Sequence, residues 1–315
     1  MAKERVNRMD FRELHYLLTI AEEGSISKAA ERLYMAQASL SQSLRQVEDD
    51  LGAPVFERSN RGVKPTVAGE ALLARARQVL NVYRDASNEF RDNTAQVRGV
   101  VEFGTASFRG QYLIPGMLKE FYRLYPEARV HITEMNSNQL ERLIRDNSLD
   151  LALMALPSRR QDSYVVDALF QDEVLIVANL NHPIMERVKS RPNGRLWVSF
   201  EDAAGHEFIL SDPNTRLGHI ARDEFGRRGL QLRSRNDNIT AAFSAAMARD
   251  GLGLALTYQS CVVPGDEAVY LSMGERGVFL ELALVYPQSS YRSRATRAFA
   301  ELLRDSLEGS LMHSR

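Results

Sequence analysis

Cysteine is almost absent. Cys261 is the one thiol in 315 residues, so an intramolecular disulfide framework is excluded. A redox-sensing role for Cys261 is disfavoured, since thiol switches usually need a low pKa and often a resolving cysteine. Long apolar runs are missing as well: no stretch reaches the roughly 18 apolar residues of a membrane span, and no membrane partner is expected. The opening MAKERVNRMD is charged and lacks the apolar segment of an export signal. A reducing cytoplasm is therefore the expected location. The readable pattern begins at Asp10, which makes Met9 an alternative start to Met1.

Charge of one sign is also lacking. Forty Lys and Arg face 41 Asp and Glu, for a net charge of -1. Bulk charge thus does not announce a nucleic-acid partner, and such a partner must be argued from local placement of basic groups. The six histidines, at positions 15, 131, 182, 206, 219 and 313, show no metal-ligand spacing. There is no GxSxG, HExxH, phosphate-binding GKS/T loop or GxGxxG. No catalytic residue, metal or cofactor is expected. The GLG at 251–253 reads as a helix-to-strand turn.

What is present is ordinary globular material, 44% hydrophobic and 26% charged, long enough for two or three domains. In the first helical stretch Phe11, Leu14, Leu17, Leu18 and Ala21 recur at helical spacing, and Gly24 ends it. Ser25 or Ser27 caps a second helix with its body over Lys28–Leu33, where Ala29 and Ala30 permit close helix approach. A third helix carries Leu40, Leu44, Val47 and Leu51 on one face and Gln37, Ser39, Ser41, Gln42, Arg45 and Gln46 on the other, and Gly52 ends it. The segment PVFERSNRGVKPT reads as strands Val55–Arg58 and Val63–Lys64 around a turn. Three helices and a hairpin make a winged helix-turn-helix.

From Thr66, a plausible N-cap, to Val97 the pattern is one long helix. Leu72, Ala76, Val79, Tyr83, Ala86 and Phe90 follow a four-three rhythm, the pattern of a coiled-coil seam, which implies a second copy of the chain. From Val100 strands and helices alternate: VVEFGT, a helix over Tyr112–Tyr125, ARVHITEM, a helix over Gln139–Arg145, and the nearly all-apolar DLALMAL. Such runs indicate parallel strands covered on both faces. A second set follows: DEVLIVAN, EFILS, a helix near Ala221–Gly226, LRSRND, a helix from Thr240, and LGLALT. The strand VFLELALVY and a helix over Arg294–Leu307 then return to the first lobe.

The segment FRELHYLLTIAEEGSISKAAERLYMAQASLSQSLRQVEDDLGAPVFERSNRGVKPTVAG closely resembles the DNA-binding module of LysR-type regulators. The resemblance continues through YLIP, FYRLYP, LDLALMA, LIVANLNHP and DGLGLAL, over nearly the whole chain. Departures are few: Ala38 stands where the family usually has proline or serine, and Val47 and Pro65 each replace a usual leucine. The implied architecture is mixed: a winged helix-turn-helix over 10–66, a linker and dimerisation helix over 67–97, and an effector-binding domain over 98–315 similar to type II periplasmic binding proteins. Its lobe I takes about 98–160 and 268–308, and lobe II about 161–267.

Chemistry then singles out two sets of residues. Gln37, Ser39, Gln42 and Arg45 supply donors near the start of a helix that fits the major groove. On spacing alone this is an ordinary solvated face; the flanking helix, the wing and the resemblance turn the balance toward function. Arg58, Arg61 and Lys64 in or beside the wing suit phosphates or a narrow minor groove. Residues 1–70 hold about as many acids as bases, but Glu48, Asp49 and Asp50 lie at the far end of the third helix. The second set sits at strand ends and helix starts of the α/β lobes: Thr105, Ser107, Phe108 and Arg109; Asn136, Ser137 and Asn138; Ser211, Asp212, Asn238 and Thr240. Helix capping is the plain alternative for each alone. In relatives these regions line a cleft between lobes.

The expected function is a transcriptional regulator that binds double-stranded promoter DNA under control of a small-molecule effector, with an organic acid favoured by Arg109. A dimer through the linker helix and, by resemblance, a homotetramer are expected. A solute-binding protein would leave residues 10–97 without a purpose, and an enzyme would need a nucleophile and base that the sequence does not offer.

Overall fold

The computed structural model describes residues 9–59, 62–93, 96–156, 163–262, 268–288 and 291–312. The chain divides into two compact units, the first running up to Thr94 and the second taking nearly all that follows.

In the first unit α1 (Phe11–Glu23) starts at a capping box: the Asp10 side chain accepts from the backbone of Glu13, and Glu13 Oε2 accepts from Asp10 N at 2.8 Å. Helix α2 (Ile26–Arg32) is capped by Ser25, and begins earlier than the expected Lys28. Helix α3 (Gln37–Leu51) ends at Gly52. Leu17, Ile20, Ala29, Leu40, Leu44 and Val47 form the shared core, with Ala29 fully buried where the helices approach. The wing is β1 (Phe56–Ser59) and β2 (Gly62–Pro65), paired Phe56↔Pro65 through Ser59↔Gly62. Relative to the sequence pattern, β1 lies one residue later and β2 reaches one residue further at each end, which sets this register. Two contacts fix it. Glu48 of α3 accepts from Val55 N and Phe56 N at 2.8 and 3.1 Å, and Val63 N donates to Gly24 O at 2.8 Å. Gly62 has φ 117°, and a Cβ there would lie 2.4 Å from Gly24 O, so no other residue fits this close approach.

Helix α4 (Val67–Arg91) starts at Thr66, whose hydroxyl accepts from Gly69 N and donates to Pro54 O. It ends at Arg91, short of the expected Val97. Leu73 and Ala76 are buried in the winged-helix core and Leu72 packs beside them.

The second unit begins with β3 (Gly99–Thr105), α5 (Ser107–Leu124), β4 (Ala128–Glu134), α6 (Ser137–Arg145) and β5 (Leu151–Ala155). Strand β6 (Tyr164–Asn179) is followed by β7 (Lys189–Ser190), β8 (Leu196–Val198), α7 (Phe200–Ala204), β9 (Glu207–Ser211), α8 (Arg216–Gly226), β10 (Arg233–Ile239), α9 (Ala241–Arg249) and β11 (Ala255–Tyr258). After β11 come β12 (Ala268–Met273), β13 (Val278–Pro287) and α10 (Arg294–Met312). Among the described residues nine strands form one sheet in the order β4-β3-β5-β13-β6-β12-β8-β7, with β11 also on β6; β9 and β10 pair in parallel beside it.

The join between lobes differs from the expectation. The sequence suggests a strand starting at Asp172, whereas β6 is 16 residues long and pairs with β13 from Pro287↔Tyr164 to Val278↔Val174. These two strands cross from one core to the other. Lobe I packs Val101, Phe103, Phe121, Leu284 and Phe299, with Leu169 and Phe170 against them. Lobe II packs Val174, Ile176, Phe208, Phe225, Leu254, Leu271 and Met273. Strand β12 therefore belongs to lobe II, and the return to lobe I comes with β13 rather than at 268. Helix α5 also starts at Ser107, five residues before the expected Tyr112.

Candidate DNA-reading surface and effector cavity

Helix α3 divides by period. Leu40, Leu44 and Val47 are buried, while Gln37, Ser39, Gln42 and Arg45 are exposed. Its N-cap is Ala36, which makes no side-chain cap bond, so the first-turn N–H groups are open to an anion such as a phosphate. No carboxylate pairs with Arg45 among the described residues. Asp49 and Asp50 are exposed at the opposite end, with Asp50 accepting from Gln46 at 3.0 Å. Lys64 is exposed on β2. Arg58 pairs with Val63 through the wing ladder; its side chain lies outside the description, and Arg61 lies outside the described residues. Sequence reasoning missed Tyr34. It sits between α2 and α3 at φ 53° with 98% of its surface exposed, a strained backbone carrying an aromatic ring and a hydroxyl beside the α3 start. In the sequence, RLYMA spans the end of the second helix and the short turn before the third, and nothing in it marks Tyr34.

The seam on α4 is shorter than its rhythm suggests. Leu72 and Ala76 are used inside the winged-helix core. Val79, Val82, Tyr83 and Phe90 remain exposed, Phe90 at 79%, and the Phe11 ring rests 4.8 Å from that of Tyr83.

In the second unit a cavity of about 510 Å³ opens between the lobes. Four helix starts border it: Ala106 before α5, Ser137 of α6, Thr215 before α8 and Thr240 before α9. Of the residues expected there, Phe108, Arg109, Asn136, Ser137, Asp212, Asn238 and Thr240 line it. Asn138 instead lines a smaller cavity of about 210 Å³, which shares Ser137, Thr215 and Arg216 with the larger one. Thr105 is buried beneath, with its hydroxyl unpartnered. Ser211 is likewise buried, with Oγ 3.4 Å from Ser244 Oγ. Ser107 begins α5, and its side chain lies outside the description.

Several expected ligand groups turn out to hold local structure. Thr240 Oγ1 accepts from Phe243 N, Asn136 Oδ1 accepts from Gln139 N, and Asp212 Oδ1 accepts from Asn214 N. These are caps and Asx turns. Neither Thr105 nor Ser107 is the N-cap of α5; Ala106 is, and no side chain caps that helix.

Arg109 is the largest correction. The expectation was a guanidinium fork presented to a ligand carboxylate. Its side chain is only 3% exposed and its carboxylate partner is internal: Nε donates to Asp172 Oδ2 at 3.0 Å. The guanidinium lies flat on Tyr258, 3.4 Å from the ring centroid. Asp172, fully buried on the crossing strand β6, also accepts from Ser260 N and Ser260 Oγ at 3.0 and 2.7 Å. This network ties the start of α5 to the floor of lobe II. Burial pushes the Tyr258 hydroxyl above its ordinary range, against the pull of Arg109 and Arg216. Burial also pushes the Cys261 thiol up to about 12, which keeps it protonated and inert at neutral pH. Sequence reasoning missed Asp172, Tyr258 and Arg216. The only signal for the last was its place one residue after a threonine N-cap.

Residues 11–70 match the family model described as "Bacterial regulatory helix-turn-helix protein, lysR family", and residues 94–308 match the "LysR substrate binding domain". The chain belongs to the LysR family. It is a DNA-binding transcriptional regulator with a domain for effectors, not an enzyme. Among its relatives is the DNA-binding transcriptional dual regulator OxyR of Escherichia coli, 26% identical over 309 residues, covering 96% of this chain and 97% of that one. An uncharacterised HTH-type regulator of Bacillus subtilis, YcgK, is 26% identical over 310 residues, 95% of each chain. Among solved structures, a full-length variant of OxyR from Pseudomonas aeruginosa shares the fold at TM-score 0.68 and 24% identity, over 95% of this chain and 98% of that one. CbnR, solved with its target DNA, aligns at TM-score 0.64 and 20% identity, over 95% of this chain and all of that one. No helix among the described residues of this LysR protein is long and apolar enough to cross a membrane.

Proposed function

We propose that this regulator reads promoter DNA with α3 in the major groove, through Gln37, Ser39, Gln42 and Arg45, while Arg58, Arg61 and Lys64 of the wing meet phosphates or the adjacent minor groove. The observation that carries this reading is the division of α3 into a face that buries Leu40, Leu44 and Val47 and a face that exposes Gln37, Ser39, Gln42 and Arg45, with an uncapped start. The effector is a small organic acid held between the lobes, in the cavity bordered by four helix starts. The setting is the cytoplasm. The test is recovery of genomic DNA fragments by the full-length protein. Enrichment of discrete fragments is expected; uniform recovery would overturn the reading.

The same reading makes the chain a dimer through α4 and a tetramer through its effector domains. Val79, Val82, Tyr83 and Phe90 form an apolar stripe that water disfavours. Light scattering is expected to give two or four times the 35.5 kDa chain mass. Tyr83→Glu with Phe90→Glu should shift the protein toward the single-chain mass by placing charges in a dry seam. A wild-type monomer at micromolar concentration would contradict this assembly.

A further inference from the structure

We infer that Arg216 is the residue that recognises the effector, and that the effector is a monoanionic carboxylic acid with an apolar body. The inference rests on the reading that the interlobe cavity is the effector's site.

Among the described residues four charged side chains line that cavity: Arg109, Arg216, Glu134 and Asp212. Arg109 is cancelled by Asp172 at 3.0 Å. Asp212 turns one oxygen to its own loop, accepting from Asn214 N at 2.7 Å. Glu134 is exposed at the end of β4. That leaves Arg216. Among the described residues no carboxylate pairs with it. Its one hydrogen bond among the described residues is the long 3.5 Å donation from Nη2 to Ala155 O, and its Nε is shut away from solvent with no partner there. A guanidinium has five N–H donors and a planar fork that matches a carboxylate. A half-buried one left this poorly satisfied is built for an acceptor that arrives from outside.

The rest of the cavity fits the same ligand. The uncapped start of α5 adds free N–H groups and a partial positive charge. Phe108, Met135, Leu217 and Ile239 supply apolar wall, and about 510 Å³ suits a small molecule. Charge number is limited by the acids. With Arg109 neutralised, Arg216 is the one lining cation without a carboxylate partner among the described residues, and Glu134 and Asp212 repel a second negative charge. A diacid is therefore disfavoured. Arg216 projects from α8 of lobe II to Ala155, the last residue of β5 in lobe I. A bound carboxylate takes donors now spent on that weak interlobe bond, which gives occupancy a route to the lobe geometry.

The experiment uses the full-length protein with four probe acids, hexanoate, benzoate, phenylacetate and cinnamate, each against its primary amide, plus the diacids adipate and phthalate. Melting shifts and calorimetry are read. At least one monoacid is expected to bind, with its amide and the diacids at least tenfold weaker. Arg216→Gln is expected to weaken that acid roughly 10- to 100-fold, and Arg216→Lys, which keeps the charge and loses the fork, by less. A cooperative melt of the ligand-free variants shows that they are folded. The inference is overturned if no monoacid binds, if acid and amide bind alike, or if folded Arg216→Gln binds the acid as wild type does. Fragment recovery with the same wild-type preparation separates the failures: retained DNA binding confines the error to the ligand class, and lost DNA binding places it in the regulator reading.

Discussion

Asp172→Ala is expected to lower the melting temperature of the effector domain by on the order of 10 °C. The Asp172 side chain has no exposed surface and accepts from Arg109 Nε, Ser260 N and Ser260 Oγ. Removing it leaves Arg109 buried, charged and unpaired, since the guanidinium is only 3% exposed. Breaking one side of a buried pair costs about 3–5 kcal/mol, far more than the pair itself contributes. In a domain spanning residues 94–308 each kcal/mol moves the transition by about 2–4 °C. Replacing both partners, Asp172→Leu with Arg109→Met, should recover most of the loss, because the apolar pair leaves no orphan charge. Calorimetry decides: a shift below ~2 °C in the single variant would mean that water reaches the pair.

The second large effect concerns the DNA-reading unit. Leu40 is fully buried beneath α3 among Leu17, Ile20, Ala29 and Leu44. Leu40→Ala should cost about 2–5 kcal/mol through lost burial and the cavity left behind. That is a large share of the roughly 5–15 kcal/mol that holds a domain together. The chain's one tryptophan, Trp197, lies on β8 in the second unit, so the two units can be followed separately. Helical circular dichroism should show an early transition in Leu40→Ala, while tryptophan fluorescence melts as in the wild type. Operator binding should fall with the early transition, because α3 loses the packing that aims its donors. A tryptophan transition that moved together with the helical one would contradict this assignment.

The N-terminal elements were legible because their signals are local. Asp10, Ser25 and Thr66 mark helix starts by side-chain capping, Gly24 and Gly52 mark stops by left-handed backbone, and the i, i+3, i+4 rows set the buried face. What the sequence hid was non-local. The partner of Arg109 is 63 residues away, so a charged residue near a helix start looked like one facing a ligand. The first half of β6 exists because β13, more than a hundred residues on, pairs with it. A four-three rhythm on α4 could not tell a partner helix from the chain's own core, and Leu72 and Ala76 went to the core. The first turn of α5 was missed because Gly110, a poor helix former, sits within it, where its lack of a side chain lets the helix settle on Thr105. In the cavity, Asn136 and Thr240 sit at helix starts and Asp212 lies three residues before the Thr215 cap of α8, a helix that begins earlier than the expected Ala221, yet their side-chain oxygens serve the backbone.

The account stands or falls most directly on DNA binding by α3 and the wing, measured as affinity for a recovered fragment and for unrelated DNA over a range of salt. Gln42→Ala and Arg45→Ala should each cost about 1–3 kcal/mol at the specific site and narrow the gap to unrelated sequences, because base-edge contacts carry the preference. Arg61→Ala should instead weaken both kinds of DNA alike and lower the salt slope by about one. If all three variants bound the fragment as wild type does, with the same slope, α3 and the wing would not be the DNA-reading surface.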